Sequence, residues 1–192
     1  MSNFKVEKSS FKTPPEDSYM LDLVWIEKVD GSKGEYYRWH WIISNIESQK
    51  EWIVCRATSQ TSLTPTMNNR FGDFLSKMLG DVDEGFEGST EDLVNAKYRV
   101  KGFVVHNKKK YEGNKDETIF CNVTKLIEGS SQKGEGIGYE GVAEKLKPKV
   151  NEWLSAKGLP LLEIKETEGD SPTGGQAKTE AVKAPKREDI SW

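Results

Sequence analysis

Apolar and polar residues alternate with a period of two through five stretches of the chain, and recur at three- and four-residue spacing between the third and fourth. The first stretch, Tyr19 to Val29 (YMLDLVWIEKV), sets Leu21, Leu23 and Trp25 against Asp22 and Val24, which predicts a strand with one buried face. Asp30 to Glu35 (DGSKGE) has turn composition. Tyr36 to Ser44 (YYRWHWIIS) and Glu51 to Ser59 (EWIVCRATS) follow as second and third strands, rich in aromatic and β-branched residues. Then Met67, Phe71, Phe74, Leu75, Met78 and Leu79 mark one apolar helical face. Thr64-Pro65 reads as its N-cap and first residue, Gly80 as its stop. Leu93 to His106 opens with a short turn and becomes a fourth strand, and Thr118 to Glu128 is a fifth.

The order β-β-β-α-β-β predicts an all-β domain: a five-stranded OB-fold Greek-key barrel with one helix between strands three and four, plugging one end. This domain spans residues 19–128. Residues 1–18 precede it as an extended arm, since Pro14 and Pro15 disfavour helix and sheet. Residues 129–141 (GSSQKGEGIGYEG) read as a flexible linker. Residues 142–166 hold a short helical segment, with Val142, Leu146, Val150, Trp153 and Leu154 on one stripe and Pro148 kinking or splitting it. From 167 to 192 the composition is that of a disordered tail.

A barrel of this class binds oligonucleotides or oligosaccharides on the face of strands two and three, between the 1–2 and 4–5 loops. Alternation puts Tyr37, Trp39, Trp41 and Ile43 inside, with Ile53, Cys55 and Ala57. It puts Tyr36, Arg38, His40, Trp52 and Arg56 outside. Rings and guanidinium planes on one sheet face can stack unpaired bases, and arginines can fork onto phosphates. Lys33 in the 1–2 loop, Lys108, Lys109, Lys110 and Tyr111 in the 4–5 loop, and Arg99 on strand four extend a basic rim.

Net charge changes this picture little. Lys and Arg number 28 against 31 Asp and Glu, so bulk charge does not drive nucleic-acid binding and any basic groove must arise by segregation. The acids Asp81, Asp83, Glu84, Glu87, Glu91 and Asp92 do cluster apart, after the helix. Apolar residues are only 35% of the chain, in keeping with segments outside a core. Cys55 and Cys121 lie in apolar runs and read as core thiols of a reducing compartment. A disulfide between them is a weaker alternative. So is a zinc site with His40 and His106, because neither cysteine has a second ligand at short spacing. The N-terminus is polar, without a secretory signal, and no apolar run is long enough for a membrane helix, so a cytoplasmic location is expected.

The stretches YYRWHWII, ATSQTSLTPTMNNRFGDFLSKMLG, STEDLVNAKYRVKG and IFCNVTKLI together resemble phage and bacterial OB-fold single-stranded-DNA-binding proteins of replication and recombination. The resemblance covers residues 19–128, with Asn95 where that family often has glycine. It implies a tail ending in acids and an apolar tip, which the final REDISW matches. Ile190 and Trp192 would enter an apolar pocket on a partner, steered by Glu188 and Asp189. An acidic tip of this kind could also compete with DNA for the basic groove.

These readings give the expected function: sequence-independent binding of single-stranded DNA in replication, recombination or repair, in the cytoplasm, or in the host cytoplasm for a phage protein. RNA would use the same surface. Replication and recombination proteins are the expected partners of the tip. The alternative is an OB-fold interaction or scaffold module that binds no nucleic acid. Catalysis is not expected: GEGIG (134–138) has no βαβ unit around it, both histidines lack an evident nucleophile partner, and no cofactor or metal is implied.

Overall fold

The computed structural model describes residues 13–44, 56–113, 115 and 117–164. Five strands, β1 (Asp17–Gly31), β2 (Gly34–Ile43), β3 (Arg56–Thr61), β4 (Arg99–Lys109) and β5 (Thr118–Leu126), form the described sheet. They hydrogen-bond in the order β1-β2-β3-β5-β4 and close back on β1, a continuous ring of strands. All neighbours are antiparallel except β3 and β5, which meet in parallel with Thr58 opposite Asn122.

β2 keeps a regular alternation. Trp39, Trp41 and Ile43 are buried inside the ring and Tyr37 packs against the same core. The Trp39 and Trp41 rings stack with centroids 5.9 Å apart. Their indole N–H groups donate to the Thr61 and Ser59 hydroxyls, each at 2.9 Å. Two buried polar side chains on β3 are thereby satisfied, which removes the cost of burying them alone. α1 (Arg70–Leu79) closes one end of the ring, with Phe71 and Phe74 edge-on to Trp39 at 5.5 and 5.4 Å.

Several expected boundaries shift. α1 starts at an Asn69 N-cap rather than at Thr64-Pro65. The Asn69 carbonyl oxygen accepts from the Gly72 and Thr66 amides, and its amide donates to Thr64 O and Ser62 Oγ. One side chain thus knots the preceding loop onto the helix start, and Gly72 is required there because a Cβ would lie 2.0 Å from Thr66 O. The turn before strand four is a second helix, α2 (Thr90–Asn95), held by a capping box between Ser89 and Asp92. So two described helices, not one, join β3 to β4. β1 carries a bulge between Leu23 and Trp25, so Leu21, Leu23 and Ile26 are the inner set and Trp25 is in register with His40 on the outer face. Trp25, expected inside, instead lies edge-on to Trp153 at 5.5 Å.

Residues 129–141 do not behave as a free linker. Arg99 and Gln132 exchange two backbone hydrogen bonds, and Gly134 and Gly136 donate to the Ala96 and Lys97 carbonyls. The glycine at 136 permits that approach: a Cβ would sit 2.7 Å from Tyr98 O. Two short 3₁₀ turns (Gly138–Gly141 and Glu144–Leu146) lead into α3 (Lys147–Ala156). Pro148 falls in the first turn of α3, where its missing N–H costs nothing, so it starts the helix instead of kinking it. The expected stripe of Val142, Leu146, Val150 and Leu154 is buried against Val24 on β1, with Trp25 and Ile42 beside it. Each fully buried aliphatic side chain contributes about 1.5–3 kcal/mol, enough for a ten-residue helix to stay fastened to the outer face of β1 and β2. Among the described residues, no helix is long and apolar enough to cross a membrane.

Candidate nucleic-acid interface

The outer face of β2 and β3 carries the expected site residues in two groups. At one end, Tyr36 and Arg38 are half-buried. An Arg38 Nη2 hydrogen bond reaches Tyr36 Oη at 2.6 Å, with the guanidinium 5.6 Å from the ring centroid. Lys33 is exposed at the β1–β2 turn just before them.

His40, two residues further on, is not open to a ligand. Its side chain is 15% exposed and its Nε2 lies 3.2 Å from Glu27 Oε2. Glu27 also accepts from Lys149 of α3, and Arg38 Nη1 lies 3.7 Å away. One carboxylate therefore sits among an ammonium, a guanidinium and an imidazole. Burial pushes the Glu27 carboxyl up, but the hydrogen bonds from Lys149 and His40 outweigh it and hold it below the ordinary value. Burial holds the His40 imidazole below its ordinary value, against the opposing pull of Glu27. The cluster fastens α3 to the sheet and roofs the middle of the face.

At the other end of β2, Ile42 is in register with Arg56, which is exposed at the start of β3. Thr58 faces Asn122 across the parallel β3–β5 contact. Two residues earlier on each of these neighbouring strands, Arg56 and Phe120 are exposed and turned to the same outward face. Phe120 is 40% exposed and edge-on to Tyr111, ring centroids 6.4 Å apart. Lys109 Nζ lies 4.9 Å from the Tyr111 ring centroid. Lys108 and Lys109 end β4, and Lys110 and Tyr111 continue into the loop, all exposed. Arg56, Phe120, Tyr111 and Lys109 thus make one aromatic and basic patch. Along β2 it is about 20 Å from Tyr36, counting six residues at roughly 3.4 Å each.

Phe120 is a residue of this patch that lies outside the expected set. With Cys121 and Val123 buried, alternation through TIFCNV turns Phe120 and Asn122 outward. Arg99 stands apart from both groups. Its Nε and Nη2 fork onto the Asp22 carboxylate at 2.7 and 3.0 Å, and Asp22 is fully buried. That hydrogen bond raises the guanidinium pKa, and its charge is committed to the fold rather than to a rim. Trp52, Ile53 and Cys55, expected on the third strand, and Glu188, Asp189, Ile190 and Trp192, expected at the tip, lie outside the described residues. Cys121 is a buried thiol on β5. Among the described residues, no group of three or more His, Cys, Asp or Glu side chains is placed to hold a metal ion.

No protein-family model matches the chain, and comparison with curated protein sequences returns no match.

Proposed function

We propose that the chain is an OB-fold protein that binds single-stranded nucleic acid, DNA foremost, with little sequence preference. The parallel β3–β5 contact in an otherwise antiparallel ring, with helices between β3 and β4, supports the OB reading. The observation that carries the function is the outward patch of Arg56, Phe120, Tyr111 and Lys109. Flat rings there can stack bases, and cations beside them can meet the phosphates between those bases. Tyr36 and Arg38 offer a second stacking plane further along β2. The C-terminal REDISW would recruit replication, recombination or repair proteins, as in the phage and bacterial proteins the chain resembles.

Titration of a labelled oligo-dT at several salt concentrations tests this. The expected result is saturable binding that weakens steeply with salt and resists duplex competitor. Binding indifferent to salt, or stronger for duplex, would contradict it. One observation favours the rival scaffold reading: α3 already covers part of the outer face of β1 and β2 with protein. A scaffold would leave the tryptophan fluorescence unchanged when oligonucleotide is added.

A further inference from the structure

The β4–β5 ribbon has a second exposed ring, away from the patch just described. Phe103 is 44% exposed on the outer face of β4. Its register partners are Lys125 on β5 and the small Ser18 on β1, and neither covers it. Lys101 lies two residues earlier on the same face of β4. Lys101 and Lys125 are exposed and, among the described residues, pair with no carboxylate. Elsewhere the lysines are commonly neutralised: Lys28, Lys77, Lys97, Lys147, Lys149 and Lys157 each pair with a glutamate. The outer face of the ribbon runs through the register pairs Phe103–Lys125, Val105–Asn122, Asn107–Phe120 and Lys109–Thr118. None of these residues is acidic, and a bulge on β5 at Thr124 keeps Lys125 on the outer side. The strip starts at Phe103 and ends in the Phe120–Tyr111–Lys109 cluster.

We infer that Phe103, flanked by Lys101 and Lys125, is a second stacking station, which carries a bound single strand from the Phe120–Tyr111 patch along the length of the β4–β5 ribbon. This rests on the proposed single-strand binding and extends it to a face beyond β2 and β3. Lys101 to Lys109 spans eight residue steps, roughly 27 Å at the rise of an extended strand. The charge pattern selects a polyanion: two ammonium groups with no carboxylate partner among the described residues flank one exposed ring, the sign that the phosphates beside a stacked base require.

The experiment compares two labelled oligo-dT lengths, about five and about sixteen nucleotides, near the ends of the range one OB barrel occupies. Both are titrated against the full chain, F103A and K101Q/K125Q. Each variant is expected to lose about 10-fold in affinity for the long oligonucleotide and nothing for the short one, which the Phe120–Tyr111 patch holds alone. K101Q/K125Q should also flatten the salt dependence of the long complex by about 1.4 in log-log slope, about 0.7 for each lost phosphate contact. Should F103A fold poorly by thermal melting, K101Q/K125Q, which changes only exposed side chains, decides alone. Unchanged long-oligonucleotide affinity in the folded variants overturns the second station while leaving the first patch standing. Failure of the wild-type chain to bind either length overturns both. If F103A instead dissociates a dimer in sedimentation with DNA affinity intact, the ring serves a second copy of the chain and the inference is wrong.

Discussion

Arg99→Ala separates a ligand from a structural ion pair. The Asp22 carboxylate is fully buried, and the Arg99 fork at 2.7 and 3.0 Å is its charge partner. Arg99 itself is 29% exposed along its side chain, so its loss leaves little empty space but strands a buried anion. Breaking such a pair from one side costs about 3–5 kcal/mol, against roughly 0.5 kcal/mol for an exposed ligand-contacting side chain. With a urea slope of about 1–3 kcal/mol per molar, the unfolding midpoint should fall by at least about 1 M. Asp22→Asn should cost less, because the freed guanidinium can turn toward water. The double variant Asp22→Ala with Arg99→Ala should be less destabilised than the two singles combined, a coupling of about 0.5–3 kcal/mol. Urea unfolding followed by tryptophan fluorescence reads all of these. An Arg99→Ala midpoint close to wild type, with oligonucleotide affinity reduced about 10-fold, would refute the structural reading and restore Arg99 to the rim.

Acidification should destabilise the fold in two steps. The folded His40 pKa lies below its unfolded value of about 6.5, so the unfolded chain takes that proton first and stability falls as pH drops below that value. Glu27 is also depressed in the folded state, so its contribution holds above the ordinary glutamate value and is lost as pH falls through the folded one. The urea midpoint followed against pH checks both, and His40→Gln should abolish the upper step; a wild-type midpoint that rises on acidification from neutrality would contradict this. Phe120→Ala should weaken oligo-dT binding by about 1–3 kcal/mol. Because the ring is 40% exposed, its melting temperature should change little; a large drop in melting temperature without a loss of affinity would make Phe120 a packing residue.

What the sequence revealed and what it concealed follow from the range of the interactions. Inner and outer residues of β2 are plain from alternation because that strand is regular and its inner aromatics, Trp39 and Trp41, are large. β1 obeys the same rule only up to its bulge; beyond it every residue changes face, and nothing local to Val24 or Trp25 signals the slip. Asp22 looks like a surface acid until Arg99, 77 residues later, is brought to it. The glycines of 129–141 read as freedom because glycine serves both loose chains and tight approaches, and only the neighbouring Lys97–Tyr98 backbone decides which. Alternation turns His40 to the outer face, where the structure has it, but the helix that covers it comes from beyond residue 140, and its attachment to β1 depends on tertiary packing of a short apolar stripe.

Ultraviolet cross-linking of oligo-dT to the full chain, with the linked residues located by mass spectrometry, tests the central claim most directly. Cross-links should fall on Tyr111 and Phe120, with Tyr36 as a weaker site. Their absence, or their concentration on Trp153 and the α3 side of the molecule, would contradict the account.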